Sequence, residues 1–531
     1  MRTLLLTLSV ALVLGGCKGD PNTPEYWTKA ITSSKSKKER ARLVEELRSS
    51  KKVNESFYPM LRELLGSEKS PEVKRDLARL LGEQKDKGAI EALDNALDFG
   101  NPDSDGKTLN KEIAAALGNI GDPRAIPTLV KLLKVKDPYT QIEAINAVGA
   151  LKAKEATGPL LEIAGNDNIE AFVTKKAVQA LGEIAPVEAV PVLVQLMFKE
   201  RKGVSFYMES SFALYQIGPA AADPLLPVLA SEDKALIAWA EKNRVLEPAL
   251  VAKAAQVIGD LHDMRGEKAL LSKLGYENEM LDLKLFVRMR AADALGRMRS
   301  AAAVKPLIAM LKEEEANARQ EYVRALVRIG SKEAVPALLK AAGEGSWDAR
   351  DVALYGVSML GDEKDIAALD KLAAAEPAAT AAECKDNPDY AGCKDADALG
   401  KAHVAAIETY KLRLNAAKEC KADASCWIKM LDDANAGVKE RAGFDLGRSG
   451  KAEAVEPLLK HLREKNLDAR VAIIQGIDWL VFDSKEAAAK AAPFLADVDK
   501  QLAEEKGKTD FIKVNEDLKR LSALMHRKTG A

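Results

Sequence analysis

Aromatic residues, histidine and cysteine are scarce in this chain of 531 residues, and their scarcity narrows the possible functions. Phe, Trp and Tyr together make up 5% of the sequence, and there are 4 histidines and 5 cysteines. The chain also lacks a Gly-x-Ser-x-Gly elbow, a phosphate-binding glycine-rich loop and a histidine–glutamate pair. Those motifs would indicate a nucleophilic hydrolase, a nucleotide-binding protein or a di-iron enzyme. We therefore expect no enzyme and no small-molecule substrate.

An excess of one charge is also absent. The chain has 79 basic and 80 acidic residues and a formal net charge of -1, so it carries no overall basic footprint for nucleic acid. Alternating β-branched residues are missing, which argues against a sheet. Ala, Leu, Lys and Glu dominate instead, and all four favour helices. The composition predicts an all-α chain.

The first 17 residues have the features of an export signal. A short positive start precedes an apolar run from Leu4 to Leu14, which is shorter than the ~20 residues that a membrane-spanning helix needs. The run ends in Leu-Gly-Gly-Cys17 and resembles the lipobox of bacterial lipoproteins, in which the peptide is cut before the cysteine and the cysteine is acylated. The alternative is an ordinary secretory signal with an unrelated cysteine. We expect lipidation of Cys17, and Lys18 in place of Asp favours the outer membrane, facing the periplasm or the cell surface.

A repeated phrase governs most of the remaining sequence. It consists of Ala-Leu-Gly, a short polar turn, Ala-Val-Pro or Ala-Ile-Pro, and then Leu-x-x-Leu-Leu, with clear copies starting at Ala116, Ala180 and Ala294. The glycine positions 118, 149 and 182 are 31 and 33 residues apart, which is room for two helices and two turns. Apolar residues within each half follow helical spacing. Glycine after leucine would let neighbouring helices approach closely, and proline fits the first turn of a helix.

This pattern resembles HEAT repeats, in particular the short bacterial kind named after phycobilisome lyases. The resemblance covers roughly residues 38–495 and implies a right-handed α-solenoid of about 11 to 12 repeats. Tetratricopeptide and armadillo arrays are the alternatives, but the signature of the former is absent and the latter need ~40 residues per repeat. The predicted organisation is a signal peptide (1–17), a flexible linker (18–37), a solenoid (38–375), a cysteine-containing insert (376–426), further repeats (427–495) and a C-terminal helical cap (496–531).

The insert contains every cysteine except Cys17. In an exported chain, four cysteines in one segment indicate two disulfides, with three possible connectivities. We favour Cys384–Cys393 and Cys420–Cys426, because each pair closes a short polar loop. A zinc site is the competing idea, but the spacings do not match a Cys-x-x-Cys ligand pair. Between the pairs, residues 397–418 predict one unusually long helix.

Residues 101–112 resemble an EF-hand calcium loop. Oxygen-bearing side chains stand at positions 1, 3 and 5, a glycine at position 6 and a glutamate at position 12. The ligand positions are Asn101, Asp103, Asp105, Lys107 (through its backbone) and Glu112. The alternative is a polar turn between two helices of one repeat. Calcium is the one cofactor that the sequence makes possible.

Two features of the predicted second helices suggest partner contacts. Arginines cluster there and could form a groove for an acidic partner or an internal ladder with neighbouring acidic residues: Arg288, Arg290, Arg319, Arg324, Arg328, Arg350 and Arg441. The segment Phe206 to Met208 opens another such helix and could supply aromatic anchors or core residues.

These observations predict a lipid-anchored, non-catalytic scaffold that binds a protein partner in the bacterial cell envelope. The alternative is a structural subunit of a larger envelope assembly, and an enzyme is less consistent with the sequence. The membrane would be contacted through the lipid anchor only, and no nucleic acid is expected.

Overall fold

The computed structural model is mostly helical over the residues that it describes, and the chain divides into two compact units. It describes residues 19–100, 104–312, 315–505, 507–508 and 512–530. Unit 1 ends at Ala213 and unit 2 begins at Leu214. Among the described residues, no helix combines the length and the apolar character needed to cross a bilayer.

Unit 1 is a series of helical hairpins. Its helices are α1 Pro24–Ser33, α2 Lys37–Ser49, α3 Tyr58–Ser67, α4 Pro71–Glu83, α5 Ile90–Asn95, α6 Ser104–Ile120, α7 Ile126–Leu132, α8 Pro138–Ala150, α9 Thr157–Gly165, α10 Ala171–Ile184, α11 Val190–Met197 and α12 Tyr207–Ile217, the last of which continues into unit 2. A short hairpin, the one departure from all-helical structure among the described residues, pairs β1 Glu200–Arg201 with β2 Val204–Ser205 in antiparallel register, Glu200 opposite Ser205.

Unit 2 continues the hairpin pattern with longer helices near its middle and end. They are α13 Leu225–Leu229, α14 Lys234–Lys242, α15 Glu247–Asp260, α16 Glu267–Leu274, α17 Leu281–Arg297, α18 Val304–Ala309, α19 Ala316–Ile329, α20 Val335–Ala341, α21 Trp347–Leu360, α22 Ile366–Asp386, α23 Ala396–Cys420, α24 Ala424–Met430, α25 Ala436–Arg448, α26 Val455–Lys460, α27 Leu467–Asp483, α28 Lys485–Ala491, α29 Leu495–Glu505 and α30 Ile512–Thr529.

Short 3-10 turns introduce the first helix of most hairpins. They span Glu55–Phe57, Lys87–Ala89, Pro123–Ala125, Lys154–Ala156, Val187–Ala189, Pro219–Ala221, Met264–Gly266, Ala301–Ala303, Lys332–Ala334, Glu363–Asp365 and Ala452–Ala454, with three more at Met310–Lys312, Ala391–Asp395 and Ala492–Phe494. The alanine of the Ala-Val-Pro phrase ends such a turn and is fully buried, as at Ala125 and Ala189. The recurrent alanine is therefore a core residue of the turn.

The glycine of the repeated phrase sets the distance between successive second helices. A Cβ atom placed on Gly82 of α4 would lie 2.6 Å from the Cα of Ala116 on α6. The same arrangement recurs in unit 2, where a Cβ on Gly259 would lie 2.6 Å from the Cα of Ala294. Since real Cβ atoms do not come this close to a backbone, only glycine allows the helices to pack at this separation. The role predicted for the glycine is confirmed.

The segment predicted as a flexible linker is different in the structure. Helix α1 lies within residues 18–37, and its Trp27 and Ile31 are 4% and 2% exposed. The indole of Trp27 also donates a hydrogen bond to the carbonyl of Pro21 at 2.8 Å. A buried tryptophan anchors the segment, so α1 forms the first layer of unit 1 rather than a tether.

The cysteine-containing insert belongs to the helical stack. Helices α22 and α23 pack against each other along their length, and α23 in turn packs between α21 and α25. Helix α23 covers the long helix predicted at 397–418 and begins at Ala396 and ends at Cys420, just beyond the predicted ends. Its second-helix position makes the insert an enlarged repeat. The described chain is an all-α solenoid, as the sequence predicted.

Candidate partner-binding surfaces

The arginines predicted to form a binding groove separate into two groups in the structure. Arg288, Arg290, Arg319 and Arg324 are partly exposed. Arg288 pairs with Glu277, Arg290 lies over the ring of Phe286, and Arg324 lies 4.0 Å from Glu321. Arg328, Arg350 and Arg441 are 6%, 3% and 4% exposed. A buried guanidinium cannot contact a partner, so the predicted groove does not include these three.

The buried arginines bind groups of their own chain. Arg328 lies 2.5 Å from a carboxylate oxygen of Asp293, and Arg350 holds Glu376 with two hydrogen bonds of 2.6 and 3.1 Å. Arg441 donates to the carbonyls of Ser358 and Gly361 at 2.6 and 2.7 Å. The internal ladder, the alternative offered by the sequence, describes Arg328 and Arg350.

Within unit 2, further hydrogen bonds join second helices of early repeats to second helices of late repeats, so the two sets of helices face each other. These hydrogen bonds join Trp479 to the carbonyl of Arg297 (3.2 Å), Arg448 to the carbonyl of Val327 (2.6 Å), Tyr355 to Glu440 (2.7 Å), Arg520 to Asp260 (3.0 Å) and Arg527 to the carbonyl of Tyr215 (2.5 Å). The face on which the sequence placed an open groove is therefore occupied by the protein's own helices.

One buried pair near these contacts, His262 and Asp478, has strongly shifted pKa values. Nε2 of His262 lies 3.3 Å from Oδ2 of Asp478, beside a cavity of about 20 Å³, which is room for one water molecule. Burial, followed by the charge of Arg297, lowers the pKa of His262 to about 3. Burial raises the pKa of Asp478 to about 7, with the opposing charge of Arg297 outweighed. The pair is thus held uncharged over much of the acidic range.

The predicted calcium loop is not a loop in the described residues. Helix α6 begins at Ser104 and runs through Gly106, the position at which calcium loops turn sharply. Glu112 forms a bidentate pair with Arg79, with hydrogen bonds of 2.9 and 3.1 Å. Asn101 and Asp103 lie outside the described residues, as do the side chains of Asp105 and Lys107. Helix α6 thus covers positions 4 to 12 of the predicted loop, with no sharp turn at Gly106, and the calcium site stays a prediction.

The cysteines of the enlarged repeat are paired as predicted. Cys384 is bonded to Cys393, and Cys420 is bonded to Cys426. Elsewhere in the part of the chain that the structure describes, no group of three or more His, Cys, Asp and Glu side chains could hold a metal ion. Cys17 lies outside the described residues, and its lipidation stays a prediction.

A row of exposed apolar side chains crosses unit 1. Tyr139, Phe172 and Met208 are 63%, 45% and 49% exposed, and each is the second residue of its helix, α8, α10 and α12. Helices α8 and α10 pack together, and an ion pair of 2.9 Å between Lys175 and Glu209 joins α10 to α12. The three side chains therefore stand on successive layers. We call them the apolar row.

The sequence itself contains a signal for the apolar row, in the second residue of these helices. In unit 2 the second residue of the corresponding helices is most often polar, as in Asp282, Asp348 and Asp468. A tyrosine, a phenylalanine and a methionine at that position in unit 1 depart from the pattern. Phe206, the candidate anchor beside Met208, is fully buried and packs under the guanidinium of Arg201, so it is a core residue.

Two protein-family models match segments of the chain. Residues 102–172 and 304–383 match the model of HEAT repeats, and residues 287–313 match the PBS lyase HEAT-like repeat. The matched segments lie in both units and coincide with the hairpins described above. The chain is a HEAT-repeat protein, and its solenoid is an architecture suited to binding proteins.

One curated protein is similar to part of the chain. The alpha subunit of phycocyanobilin lyase from Nostoc sp. (strain PCC 7120) is 28% identical over an alignment of 163 residues, and the alignment covers 28% of this chain. The chain spans 58% of that relative's length. This similarity gives no clear indication of enzymatic activity in this protein.

Solved structures of other α-solenoids resemble the chain at low identity. Importin beta is 13% identical with a TM-score of 0.41, covering 92% of this chain and 79% of its own. Kap121p bound to Pho4p is 12% identical with a TM-score of 0.49, covering 96% and 61%. Human deoxyhypusine hydroxylase in complex with glycerol is 20% identical with a TM-score of 0.21, covering 54% and 98%. These scores are too low to carry a functional assignment.

Proposed function

We propose that this protein is a non-catalytic scaffold that binds a protein partner through the apolar row of unit 1. The protein is tethered by lipid at Cys17 to the bacterial cell envelope, on the outer membrane. The partner is a protein with an apolar segment long enough to touch three successive layers of the solenoid. Exposure of the apolar row carries this proposal.

Tyr139, Phe172 and Met208 are each at least 45% exposed, at a helix position that is most often polar in unit 2. Single exposed apolar residues are common and need no explanation, but aligned ones often mark an interaction site. Large, stiff side chains such as tyrosine and phenylalanine are also the types that dominate binding energy at interfaces. Because successive helices pack about 8–10 Å apart, neighbouring side chains of the apolar row are separated by about the same distance.

The lipid tether follows from residues 1–17, and its physical effect is to concentrate the scaffold at a surface. Each buried methylene contributes ~0.8 kcal/mol to membrane attachment, and two or more chains give lasting anchoring. Because α1 begins at Pro24, only a few residues would separate the lipid from the folded body. A Cys17→Ser variant that still fractionates with membranes and carries no acyl mass would contradict the tether.

Site-specific photocrosslinking in intact cells tests the binding surface. A benzophenone amino acid placed at Phe172 is expected to crosslink a partner protein. The same probe at Glu162, an exposed position on the first helix α9, serves as the matched control and is expected to give a weaker crosslink. Equal crosslinking from both positions, or none from Phe172, would remove the apolar row from the proposal.

The stoichiometry of the crosslinked complex separates the scaffold from the alternative. A substoichiometric, exchangeable partner is the result expected for a scaffold. A constant one-to-one complex that survives purification would instead make the protein a structural subunit of an envelope assembly.

A further inference from the structure

A cavity of about 510 Å³ opens in unit 2 beside the disulfide between Cys384 and Cys393. It lies between the start of α21 and the turn that joins α22 to α23. Its wall includes Trp347, Asp348, Glu383, Asp389, Tyr390 and His403. The volume falls within the ~300–1,000 Å³ typical of small-molecule sites.

The floor of the cavity is a rigid polar network. Nδ1 of His403 lies 3.2 Å from Oε1 of Glu376 and 2.9 Å from the hydroxyl of Thr380, which itself donates to Oε1 at 3.0 Å. Arg350 neutralises Glu376 through two hydrogen bonds. The rings of His403 and Trp347 stack with centroids 3.8 Å apart and planes 4° from parallel. These contacts fix the histidine before any ligand arrives.

This network leaves one nitrogen of His403 available to the cavity. A carboxylate only accepts hydrogen bonds, so in the neutral ring Nδ1 carries the proton and donates it, and Nε2 keeps its lone pair. His403 is 7% exposed and lines the cavity, and no described residue hydrogen-bonds its Nε2. The cavity therefore contains a buried acceptor without a protein donor.

The charged side chains that line the cavity itself are carboxylates. Asp348, Glu383, Asp386 and Asp389 line it, and no lysine or arginine does. The carboxylate of Glu383 accepts from the backbone N–H of Trp347 at 3.0 Å and pairs with Arg350 at 3.3 Å, so it already has a countercharge. Asp386 and Asp389 lie exposed at the rim. Because the disulfide closes the loop that carries these two residues, the rim is held in place without a ligand.

A metal ion does not fit this arrangement, because the described carboxylates do not converge on one point. A ligand with cationic groups at the ends of an apolar chain does fit. Its ammonium groups would donate to the dispersed carboxylates and to Nε2 of His403, and its methylenes would pack against Tyr390, Leu399 and the disulfide.

We propose that this cavity binds an organic cation of the alkylammonium class. Two sources have that chemistry, a free polyamine and a lysine side chain of a basic peptide. The site is in unit 2, and the proposal does not depend on the binding role of the apolar row.

Isothermal titration calorimetry of the protein without its predicted signal peptide, at moderate salt concentration, tests the proposal. Spermidine and an acetylated, amidated trilysine peptide are titrated separately, and magnesium chloride is the control for simple charge attraction. Saturable binding of either organic cation, at least tenfold tighter than magnesium, is expected. Spermidine binding alone identifies a free polyamine as the source, and tighter binding of the peptide identifies a lysine side chain.

Matched variants locate the binding. The double variant Asp386→Asn/Asp389→Asn removes two rim carboxylates and is expected to weaken the affinity at least tenfold. Asp397→Asn removes an exposed carboxylate of α23 that does not line the cavity, and its affinity is expected to stay within twofold of the parent. No saturable binding of either cation at millimolar concentration, or equal weakening by Asp397→Asn, overturns the proposal.

Discussion

Replacing Asp478 by asparagine should make the stability of the protein depend less on pH. Burial in unit 2 raises the pKa of Asp478 to about 7, whereas an aspartate in the unfolded chain has a pKa of ~3.9. A protonated Asp478 therefore favours the folded state. Its contribution is fully present below about pH 4 and is lost as the pH rises through about 7. Asparagine keeps the size and hydrogen bonding of the protonated side chain but cannot ionise.

The magnitude follows from the width of that window. Each pH unit between the two pKa values changes the free energy of unfolding by about 1.36 kcal/mol. From pH 4.5 to pH 8 the variant should therefore gain about 3 kcal/mol relative to the parent. The side chain is 19% exposed, and partial access of water reduces the gain toward about 2 kcal/mol. His262 titrates in both proteins, so its effect largely cancels in the difference.

Equilibrium urea unfolding, followed by circular dichroism at a series of pH values, measures this difference. Asp497→Asn is the control, because Asp497 is exposed on α29 and its removal should leave the difference flat. A flat or falling difference for Asp478→Asn would refute the assignment of a raised pKa to a buried Asp478.

Four further outcomes are expected. Gly82→Ala should lower the free energy of unfolding by about 1–3 kcal/mol because its Cβ would press on a neighbouring helix, whereas Gly158→Ala, with no atom within 4 Å of the new Cβ, should not destabilise; equal melting temperatures would contradict the close packing. Arg350→Met should cost about 3–5 kcal/mol in urea unfolding by leaving Glu376 buried without the countercharge of the guanidinium, and a cost below about 1 kcal/mol would contradict the pair. Peptide mass mapping without reductant should recover the two disulfides with the connectivity seen here, and crossed peptides would exclude it. Calorimetric titration of calcium to millimolar levels should give no heat of binding, since α6 has no sharp turn at Gly106; a saturable heat would support the calcium prediction instead.

The repeat fold was predictable from the sequence because its determinants are local. Gly82 and the glycines equivalent to it recur beside leucine, and their packing against alanine requires only that successive helices be neighbours. The disulfides were predictable for the same reason, since each closes a loop of a few residues between adjacent helices.

The burial of Arg328 and Arg441, which rules them out of the predicted groove, was not predictable, because it depends on contacts with residues far away in the sequence. Arg441 binds carbonyls about 80 residues earlier in the chain, and repeat periodicity carries no information about such a closure. The linker prediction failed at Trp27 for a related reason. Prolines and serines around it suggested flexibility, but burial of one large indole outweighs several turn-forming residues.

Affinity capture of partners with and without the apolar row tests the central claim most directly. The variant Tyr139→Ser/Phe172→Ser/Met208→Ser changes exposed side chains only, so its melting temperature should match that of the parent. Isotope-labelled mass spectrometry of proteins crosslinked and purified with each form gives the ratio of bound partner. Truncation of an interface anchor costs about 1–2 kcal/mol, and we predict at least a tenfold loss of the specific partner. Recovery of that partner in equal amount by the folded triple variant would contradict binding through the apolar row.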